Sequence, residues 1–429
     1  GLMLSFVSVG LLGLLSLSIP VGIVLFLLGF GIDQFFSAFP LTRGLGSMVW
    51  STSENAALIA IPFFVLLGEI LVRPGIAART YSALDRWVSW LPGGLVHANV
   101  ATATMFSATS GSSVATAATV ATVAMPQADR LGYDQKLFSG AIAAGGTLGI
   151  MIPPSINLIV YGFLTQTSIP QLFLAGLLPG ILLAMAFLAV TALVCLVNPK
   201  LGGARRTFPL REMALGMADL LPIILLFSAI IGSIYKGWAT PTEAASVGVA
   251  GALAIAALFG GLNTRMIGEA LIGTVRVTAM IMLVVIGASF LNFTLSAAGL
   301  SQELRGFLEG LGFGPLQTLL VIVAMYIVLG FFIETLSLMV ITIPIVVPIV
   351  ISLGYDPVWF GILMIVLIEM ALITPPVGLN LFVVQSARRG GSIAEVMLGA
   401  IPYVLAMLAM VAALIALPQI ALYLPMAMR

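Results

Sequence analysis

The residues best suited to chemistry lie where paired prolines interrupt long apolar runs. Pro153-Pro154 interrupts the run 137–164, and Ser155 and Asn157 follow directly. Proline supplies no amide hydrogen, and Pro154 also disfavours a helical conformation at Pro153. A helix that breaks at membrane depth leaves carbonyl oxygens at one end and amide hydrogens at the other. The oxygens suit a hard cation such as sodium, and the amides suit a substrate carboxylate.

Polar runs also interrupt two other apolar segments. Segment 94–125 contains the run 107–113 (Ser-Ala-Thr-Ser-Gly-Ser-Ser), and segment 315–352 contains the run 334–337 (Glu-Thr-Leu-Ser). Each arm beside these runs has roughly 12 to 17 residues, or about 20–25 Å of helix, which is short of a bilayer core about 30 Å thick. We therefore predict re-entrant hairpins whose polar tips stop inside the membrane. A full crossing with a polar kink is the alternative.

These segments supply the candidate site residues, because each hairpin tip is expected to face one proline break. The predicted sodium ligands are Ser107, Thr109, Ser110, Gly111, Gly145, Gly146, Thr147, Pro153, Thr335, Thr374, Pro375 and Gly378. The predicted substrate contacts are Ser112, Ser155, Asn157, Glu334 and Asn380. For any single glycine or serine in this set, close helix packing is the simpler explanation. The recurrence of the polar cluster in two places favours a binding site.

Carboxylates inside predicted spans are functional candidates, because charge is costly within a membrane. Glu334 has three candidate roles: cation ligand, proton carrier, or cap of the second hairpin arm through backbone amides. Capping is the favoured role. Glu369 lies one turn before the break at Thr374-Pro375, which it would orient. The single histidine, His97, is expected to be a structural hydrogen-bonding residue.

The composition limits the class of protein. Of 429 residues, 61% are hydrophobic and 8% are charged, which is more apolar surface than a soluble protein buries. We therefore predict an all-α protein that crosses the lipid bilayer many times. The formal net charge is +1 and no basic cluster is present, so nucleic acid is not an expected partner. One cysteine and one histidine exclude a multi-cysteine metal site and leave little for zinc hydrolase chemistry.

An internal repeat organises the chain. Residues 131–134 (Leu-Gly-Tyr-Asp) recur as residues 353–356, an offset of 353 − 131 = 222. At the same offset Pro153-Pro154 falls on Pro375-Pro376, and Thr42-Arg43 falls on Thr264-Arg265. We take residues 15–165 and 238–388 as two copies of one unit.

Each copy contains two long apolar spans, a short amphipathic segment, a hairpin and a broken helix. The spans are 5–30 and 56–72, then 240–259 and 271–291; the amphipathic segments, 75–90 and 299–311, suit the membrane interface. Residues 198–218 would link the halves. The predicted division is 1–92 (first scaffold helices and arm), 93–165 (first hairpin and broken helix), 166–237 (central spans and cytoplasmic linker), 238–314 (second scaffold helices and arm), 315–388 (second hairpin and broken helix) and 389–429 (C-terminal span).

The basic residues predict the orientation of the chain. If the first hairpin enters from the cytoplasm, twelve of the 17 Lys and Arg residues lie inside and four lie outside, with Arg276 near the inner end of its span. The second hairpin then enters from the opposite side, so the fold is two inverted-topology repeats, as in secondary transporters. We expect residues 94–165 and 315–388 to move as one body against a scaffold that includes 56–72, 172–197 and 262–291.

The tips and breaks resemble those of the large membrane subunit of TRAP (tripartite ATP-independent periplasmic) transporters. The resemblance covers nearly the whole chain and rests on residues 61–69, 106–114, 144–155 and 373–380. It implies an elevator fold of the ion-transporter superfamily and sodium-driven uptake of an organic acid, such as a C4-dicarboxylate, a sialic acid or a sulfonate. It also implies a small four-helix membrane subunit, a soluble periplasmic binding protein that delivers the substrate, and a location in the bacterial inner membrane.

Three other functions are alternatives to this one. A stand-alone sodium- or proton-coupled anion symporter of the same superfamily would need no binding protein, and uptake by this chain alone would favour it. An intramembrane enzyme is disfavoured by the near-absence of Cys and His and by the lack of a paired catalytic constellation. A channel fits less well, because hairpins that end near the midplane suit alternating access better than an open pore. We therefore predict a transporter and not an enzyme.

Overall fold

The computed structural model describes residues 2–17, 19–38, 40–110, 112–375, 378–388 and 390–428, with side chains except at 56, 74, 108–110, 301 and 305. The first half contains helices α1 (Leu2–Ser16), α2 (Val21–Phe36), α3 (Leu45–Glu54), α4 (Ala56–Leu71), α5 (Pro74–Val88), α6 (Leu95–Ser110), α7 (Ser113–Leu131), α8 (Gln135–Gly146), α9 (Ile156–Thr165) and α10 (Ile169–Val197). The second half contains α11 (Leu210–Tyr235), α12 (Pro241–Leu258), α13 (Thr264–Ala297), α14 (Leu300–Leu311), α15 (Pro315–Gly330), α16 (Thr335–Ser352), α17 (Pro357–Ala371), α18 (Leu379–Ala387), α19 (Ile393–Ala416) and α20 (Gln419–Ala427). The predicted all-helical fold is confirmed.

Six of the described helices are long and apolar enough to cross a membrane: α10, α11, α12, α13, α16 and α19. Two bent helix pairs raise the number to eight if each counts as one span. In the first pair, residues 41–54 and 57–71 meet at 49°; in the second, residues 302–311 and 315–330 meet at 108°. The protein is therefore a multi-pass membrane protein, as its composition predicts.

Several predicted segments have different bounds in the structure. The single span predicted for residues 5–30 is two helices, α1 and α2, because Pro20 precedes α2 as its N-cap and cannot continue α1. The span predicted for 271–291 is part of the 34-residue helix α13. The linker predicted for 198–218 ends earlier, because α11 begins directly after Pro209.

The repeat is also longer than the sequence comparison indicated. Helix order corresponds from α1–α10 to α11–α19, with the bent pair α3–α4 in the place of the single helix α13, although α1 has 15 residues and α11 has 26. The predicted copies, 15–165 and 238–388, thus omit α10, α11 and α19 and nearly all of α1. The motifs that match at the offset of 222 all lie within the predicted copies, so the self-comparison gave no signal from these helices.

The motif at 131–134 and 353–356 ends one helix and begins the next. Gly132 and Gly354 have φ of 71° and 91°, a left-handed conformation that glycine adopts without steric penalty. Asp134 then accepts the amide of Lys136 at 2.9 Å and so caps α8. Asp356 caps α17 in the same way, with the Val358 amide at 2.7 Å. The repeated motif therefore sets the turn between the hairpin and the broken helix in both copies.

The two copies pack on each other reciprocally. Helix α2 packs on α13 and α12 on α4; α8 packs on α19 and α17 on α10; α7 packs on α18 and α16 on α9. When each helix is replaced by its counterpart in the other copy, the first contact of each pair becomes the second contact of that pair. This is the pattern of two units related by a twofold axis, which in inverted-repeat transporters lies in the membrane plane.

Packing sorts the helices into two groups. The scaffold helices, α1–α4 and α11–α13, pack with one another, and the core helices, α6–α10 and α15–α20, pack around the two broken helices. The amphipathic helices α5 and α14 connect the groups. Helix α10, predicted from the sequence to belong to the static part, packs on α6, α9, α17 and α19, and on this packing we group it with the core helices. A Cβ on Gly176 or Gly180 would meet Met151 or Ile152 of the first break at 2.8–2.9 Å, so these glycines allow the close approach.

Candidate functional site

The first hairpin tip and the first break meet at a junction. The Ser113 hydroxyl, at the start of α7, donates to the Thr147 carbonyl oxygen over 3.0 Å. A Cβ on Gly149 would lie 2.7 Å from the carbonyl carbon and oxygen of Ser112. Because these are backbone atoms, only glycine allows the two segments to touch. Neither Ser113 nor Gly149 was among the predicted site residues, although both belong to the motifs that predicted the site.

Gly145 and Gly146 pack the last turn of α8 between the two arms of the first hairpin. A Cβ on Gly145 would lie 2.8 Å from the Cβ of Ala103 in α6, and a Cβ on Gly146 would lie 2.8 Å from the Cβ of Ala117 in α7. Close packing therefore accounts for both glycines, whether or not their carbonyl groups ligate an ion. Ser107, one turn beyond Ala103, is buried and donates to the Ala103 carbonyl oxygen over 2.6 Å.

Two hydroxyl groups donate hydrogen bonds to backbone carbonyl oxygens at the first break. Thr147 donates to the Ala144 carbonyl oxygen over 2.6 Å. Ser155 donates to the Ile150 carbonyl oxygen over 2.5 Å and accepts the Leu158 amide at 3.3 Å, which caps α9. The break itself consists of the 3-10 turn Thr147–Ile150 and the residues through Pro153-Pro154. A carbonyl oxygen that accepts one hydrogen bond has a second lone pair, so this backbone is a suitable ligand set for a hard cation.

The second hairpin touches the second break. A Cβ on Gly330, at the end of α15, would lie 2.5 Å from the Cβ of Ala371, at the end of α17. Thr374 donates to the Met370 carbonyl oxygen over 2.5 Å, and the exposed Pro375 follows. Gly378 has φ of 41°, and its carbonyl oxygen accepts the Leu381 amide at 2.8 Å as α18 begins.

Glu334 caps the second hairpin arm, α16. One carboxylate oxygen accepts the Leu336 amide at 3.2 Å, and the other accepts the Ser337 amide at 3.1 Å and the Ser337 hydroxyl at 2.7 Å. The Thr335 hydroxyl reaches the first oxygen at 3.4 Å. The structure therefore shows the capping role that the sequence favoured.

We expect Glu334→Ala to lower the stability of the purified protein by about 1 kcal/mol, the usual cost of removing a helix cap. Glu334→Asn should restore most of that loss, because a shorter amide oxygen also caps well and carries no charge. Thermal unfolding in detergent measures both variants. If the Glu334→Asn variant regains stability yet loses all uptake, the carboxylate charge serves a further role beyond the cap.

Asn380 connects the two breaks. Its backbone amide donates to the Leu372 carbonyl oxygen over 3.0 Å, which closes the second break. Its side-chain amide donates to the Ala143 carbonyl oxygen over 3.1 Å, one turn before the first break. The Asn380 Oδ1 and Asn157 Nδ2 atoms are buried and have no hydrogen-bond partner among the described residues. Each copy thus has a buried side-chain polar atom with unused hydrogen-bonding capacity just after its break.

Part of the predicted set lies outside the described residues. This applies to the side chains of Thr109 and Ser110 and to the whole of Gly111; Pro376, of the second proline pair, also lies outside them. Ser112 is described, and its side chain accepts the Ala115 amide at 3.3 Å as the N-cap of α7.

The described parts of the two junctions contain no Lys, Arg or His side chain. Their ionisable groups are the exposed Glu334 and the buried Glu369. His97 lies away from both breaks, near the start of α6, where its Nε2 atom is 2.7 Å from the Pro92 carbonyl oxygen. This is the structural hydrogen bond expected for it. An anion at the junctions would therefore meet amides and hydroxyls but no cationic side chain.

A cavity of about 820 Å³ lies between the scaffold and the core helices, and none of the predicted site residues lines it. One wall comes from the α3–α4 bend, α12 and α13, and the other from the end of α9 and the turn into α10. Its polar lining residues are Thr52, Asn55, Gln166, Thr167, Ser168, Thr240, Thr242, Glu243, Ser289 and Asn292. The sequence offered one signal for this cavity, the polar residue Asn55 directly before an apolar span. Asn55 caps α4 by accepting the Ala57 amide at 2.9 Å.

Comparison with known proteins shows which family of proteins this chain resembles. The family model described as "Tripartite ATP-independent periplasmic transporter, DctM component" matches residues 8–420. The chain is 36% identical over 385 residues to the C4-dicarboxylate TRAP transporter large permease protein DctM of Pseudomonas aeruginosa, covering 89% of each protein. It is 32% identical over 424 residues to the sialic acid TRAP transporter large permease protein SiaM of Vibrio cholerae, covering 97% of each. The solved structure of the Alcanivorax borkumensis YdaH transporter has a similar fold, with a TM-score of 0.60 and 14% identity over 95% of this chain and 97% of that one.

Proposed function

Because this chain belongs to the DctM component family of tripartite ATP-independent periplasmic transporters, we propose that it is the large permease of a sodium-coupled organic acid transporter. The observation that carries the coupling is the chemistry of the two junctions. Both combine hydroxyl and carbonyl oxygens, and their described parts contain no basic side chain. An anion taken into a low-dielectric site needs a compensating positive charge. Sodium ions bound with the substrate supply it.

The sodium ions would be held at the two junctions. In the first, the candidate ligands are the Thr147 region of the break and the facing hairpin tip, joined by the Ser113–Thr147 hydrogen bond. In the second, they are Thr374, Pro375 and Gly378, which follow the contact between the second hairpin and the end of α17. Sodium favours such oxygen ligands, and its charge offsets that of the substrate in the same region.

The substrate we propose is an organic acid anion. Its carboxylate would face the first turns of α9 and α18, where helix amides and the side chains of Asn157 and Asn380 offer hydrogen bonds. The similar permeases named above serve C4-dicarboxylates and sialic acid, and both substrates carry carboxylates. The cavity between scaffold and core helices is the proposed route from the membrane surface to this region.

Transport would occur by an elevator movement of the core helices against the scaffold helices in the bacterial inner membrane. The family is tripartite, so we propose two partners: a small four-helix membrane subunit that enlarges the scaffold, and a soluble periplasmic binding protein that delivers the substrate. Uptake by vesicles that contain this chain alone would instead favour the stand-alone symporter.

Replacing sodium with choline should abolish uptake of succinate or N-acetylneuraminate by vesicles that contain the complete system. Thr374→Val removes one candidate oxygen ligand and should raise the half-saturating sodium concentration by about tenfold, equivalent to about 1.4 kcal/mol. Thr122→Val is the matched control, because Thr122 also donates to a carbonyl oxygen four residues earlier but lies exposed on α7. Uptake that persists in choline, driven by a proton gradient, would rule out sodium coupling.

A further inference from the structure

We propose that Glu369 is a proton-binding site, and that its protonation is required for the core helices to close around the substrate. The proposal rests on the proposed transport function but concerns a different ion and a different residue. It starts from burial. The Glu369 side chain is 0% exposed, and neither carboxylate oxygen has a hydrogen-bond partner among the described residues.

Within the described part of the chain, the elements around Glu369 offer it no counter-charge. The elements packed against α17 are α9, α10, α15, α16, α19, α20 and the 3-10 turn Thr147–Ile150. Their titratable and charged side chains, with those at the N-caps of α16 and α17, are Tyr161, Cys195, Tyr326, Glu334, Asp356, Glu395, Tyr403 and Tyr423. None of these is a base that could pair with a carboxylate. A buried, ionised and unpaired carboxylate is strongly disfavoured, so the neutral form is the one that this packing accommodates.

Three tyrosine hydroxyls on these elements are already engaged in hydrogen bonds. Tyr161 donates to the Pro357 carbonyl oxygen over 2.5 Å, and Tyr326 donates to the Thr342 hydroxyl over 2.6 Å. The Tyr403 hydroxyl is 2.6 Å from that of Thr191. The carboxylates at the N-termini of the adjacent helices cap those helices: Asp356 caps α17 and Glu334 caps α16. Glu395 lies at the start of α19, where it is paired with Arg388 at 2.7 Å.

Glu369 is placed where the second hairpin packs on the helix that leads into the second break. It lies in the last turn of α17, immediately before the second break, and α17 also packs on the 3-10 turn of the first break. Asn380 ties the same region together through the Leu372 and Ala143 carbonyl oxygens. Opening of the second hairpin, α15–α16, away from α17 would admit water to this region, and closure would expel it. Protonation of Glu369 and closure are therefore linked.

The proton balance of the step is simple. With the junction open, the Glu369 carboxylate takes one proton from a hydronium ion and leaves a water molecule. The neutral carboxylic acid is then buried as the core helices close. On reopening, the acid returns its proton to water on the side that is exposed. A carboxylate that fails to bind a proton would hold the junction open.

The first test measures the protonation state in the purified full-length protein without substrate. We expect infrared spectra at neutral pH to contain a protonated-carboxyl band that is lost in Glu369→Gln. Glu309→Gln, an exposed change on α14, is the matched control and should keep the band. An unchanged band in Glu369→Gln would overturn the proposal. Because this measurement needs no transport, its result is independent of the sodium test.

The second test measures the pH profile of uptake, with succinate or N-acetylneuraminate as the probe. Wild-type uptake should fall as pH rises, approaching about a tenfold loss per pH unit, as expected for one required proton. Glu369→Gln is permanently neutral and should give a flat profile, whereas Glu369→Asp should keep a pH-dependent one. A wild-type profile in Glu369→Gln would overturn the proposal, even if sodium dependence were intact.

Discussion

Adding one methyl group at Gly399 is expected to disrupt the contact that joins the two copies. A Cβ at this position in α19 would overlap the Lys136 carbonyl oxygen at the start of α8. A Cβ on Gly140, in the facing helix, would overlap the backbone of Gly399 in turn. Backbone atoms cannot rotate away, so α8 and α19 would have to separate. Overpacking costs about 1–3 kcal/mol, and we expect Gly399→Ala to lie at the upper end, about 3 kcal/mol.

The matched control for this variant is Gly268→Ala. Gly268 is also helical, in α13, but a Cβ there would meet no heavy atom within 4 Å. The control should change stability by less than about 1 kcal/mol, and in the stabilising direction, because alanine favours a helix. Thermal unfolding in detergent and uptake in vesicles measure both variants. Normal stability and uptake in Gly399→Ala would mean that the two copies do not depend on this close crossing.

Local backbone chemistry was predictable from the sequence. The breaks near Pro153 and Thr374, and the turn motif that ends in Asp134 or Asp356, depend on neighbours within a few residues. Prolines remove amide hydrogens, glycine adopts positive φ, and aspartate caps the next helix wherever the chain places them. The capping role of Glu334 was recognisable for the same reason.

Features that depend on packing between distant segments were not predictable. The contact between Gly149 and Ser112 becomes evident only once the hairpin lies against the break. The cavity between the two groups of helices takes its polar residues from segments as distant as Asn55 and Asn292, and each of them alone looks like an ordinary helix-end residue. Helix α10 is as apolar as the scaffold helices, so its sequence does not reveal which group it joins.

Three connections join the scaffold to the core helices and would limit their movement: α5, α14 and the linker between α10 and α11. An ion pair and two hydrogen bonds hold the linker against the end of α5. Arg206 pairs with Asp85 at 3.0 Å, and its amide donates to the Ser89 carbonyl oxygen over 2.8 Å. Arg205 donates to the Trp90 carbonyl oxygen over 2.7 Å. Helix α5 and the linker therefore form one attachment between the two groups of helices.

Cross-linking a core helix to a scaffold helix should abolish uptake completely. Cys195 is the only native thiol, so Cys195→Ser provides the background. Ala57 of α4 and Phe163 of α9 both line the cavity, and their helices pack on each other. Cysteines at these positions, joined by a bis-methanethiosulfonate reagent, would tie the two groups together. Uptake should stop on cross-linking and return on reduction.

A cross-link within the core should leave uptake intact and also test the placement of α10. The hydroxyls of Thr191 in α10 and Tyr403 in α19 are 2.6 Å apart, so cysteines at these positions can be bridged by the same bis-methanethiosulfonate reagent. If α10 moves with the other core helices, cross-linking of this pair leaves transport unchanged. If α10 belonged to the scaffold, the same link would stop it. Full uptake with Ala57→Cys and Phe163→Cys cross-linked would exclude a movement of one group against the other, and transport would then depend on local opening of the hairpins.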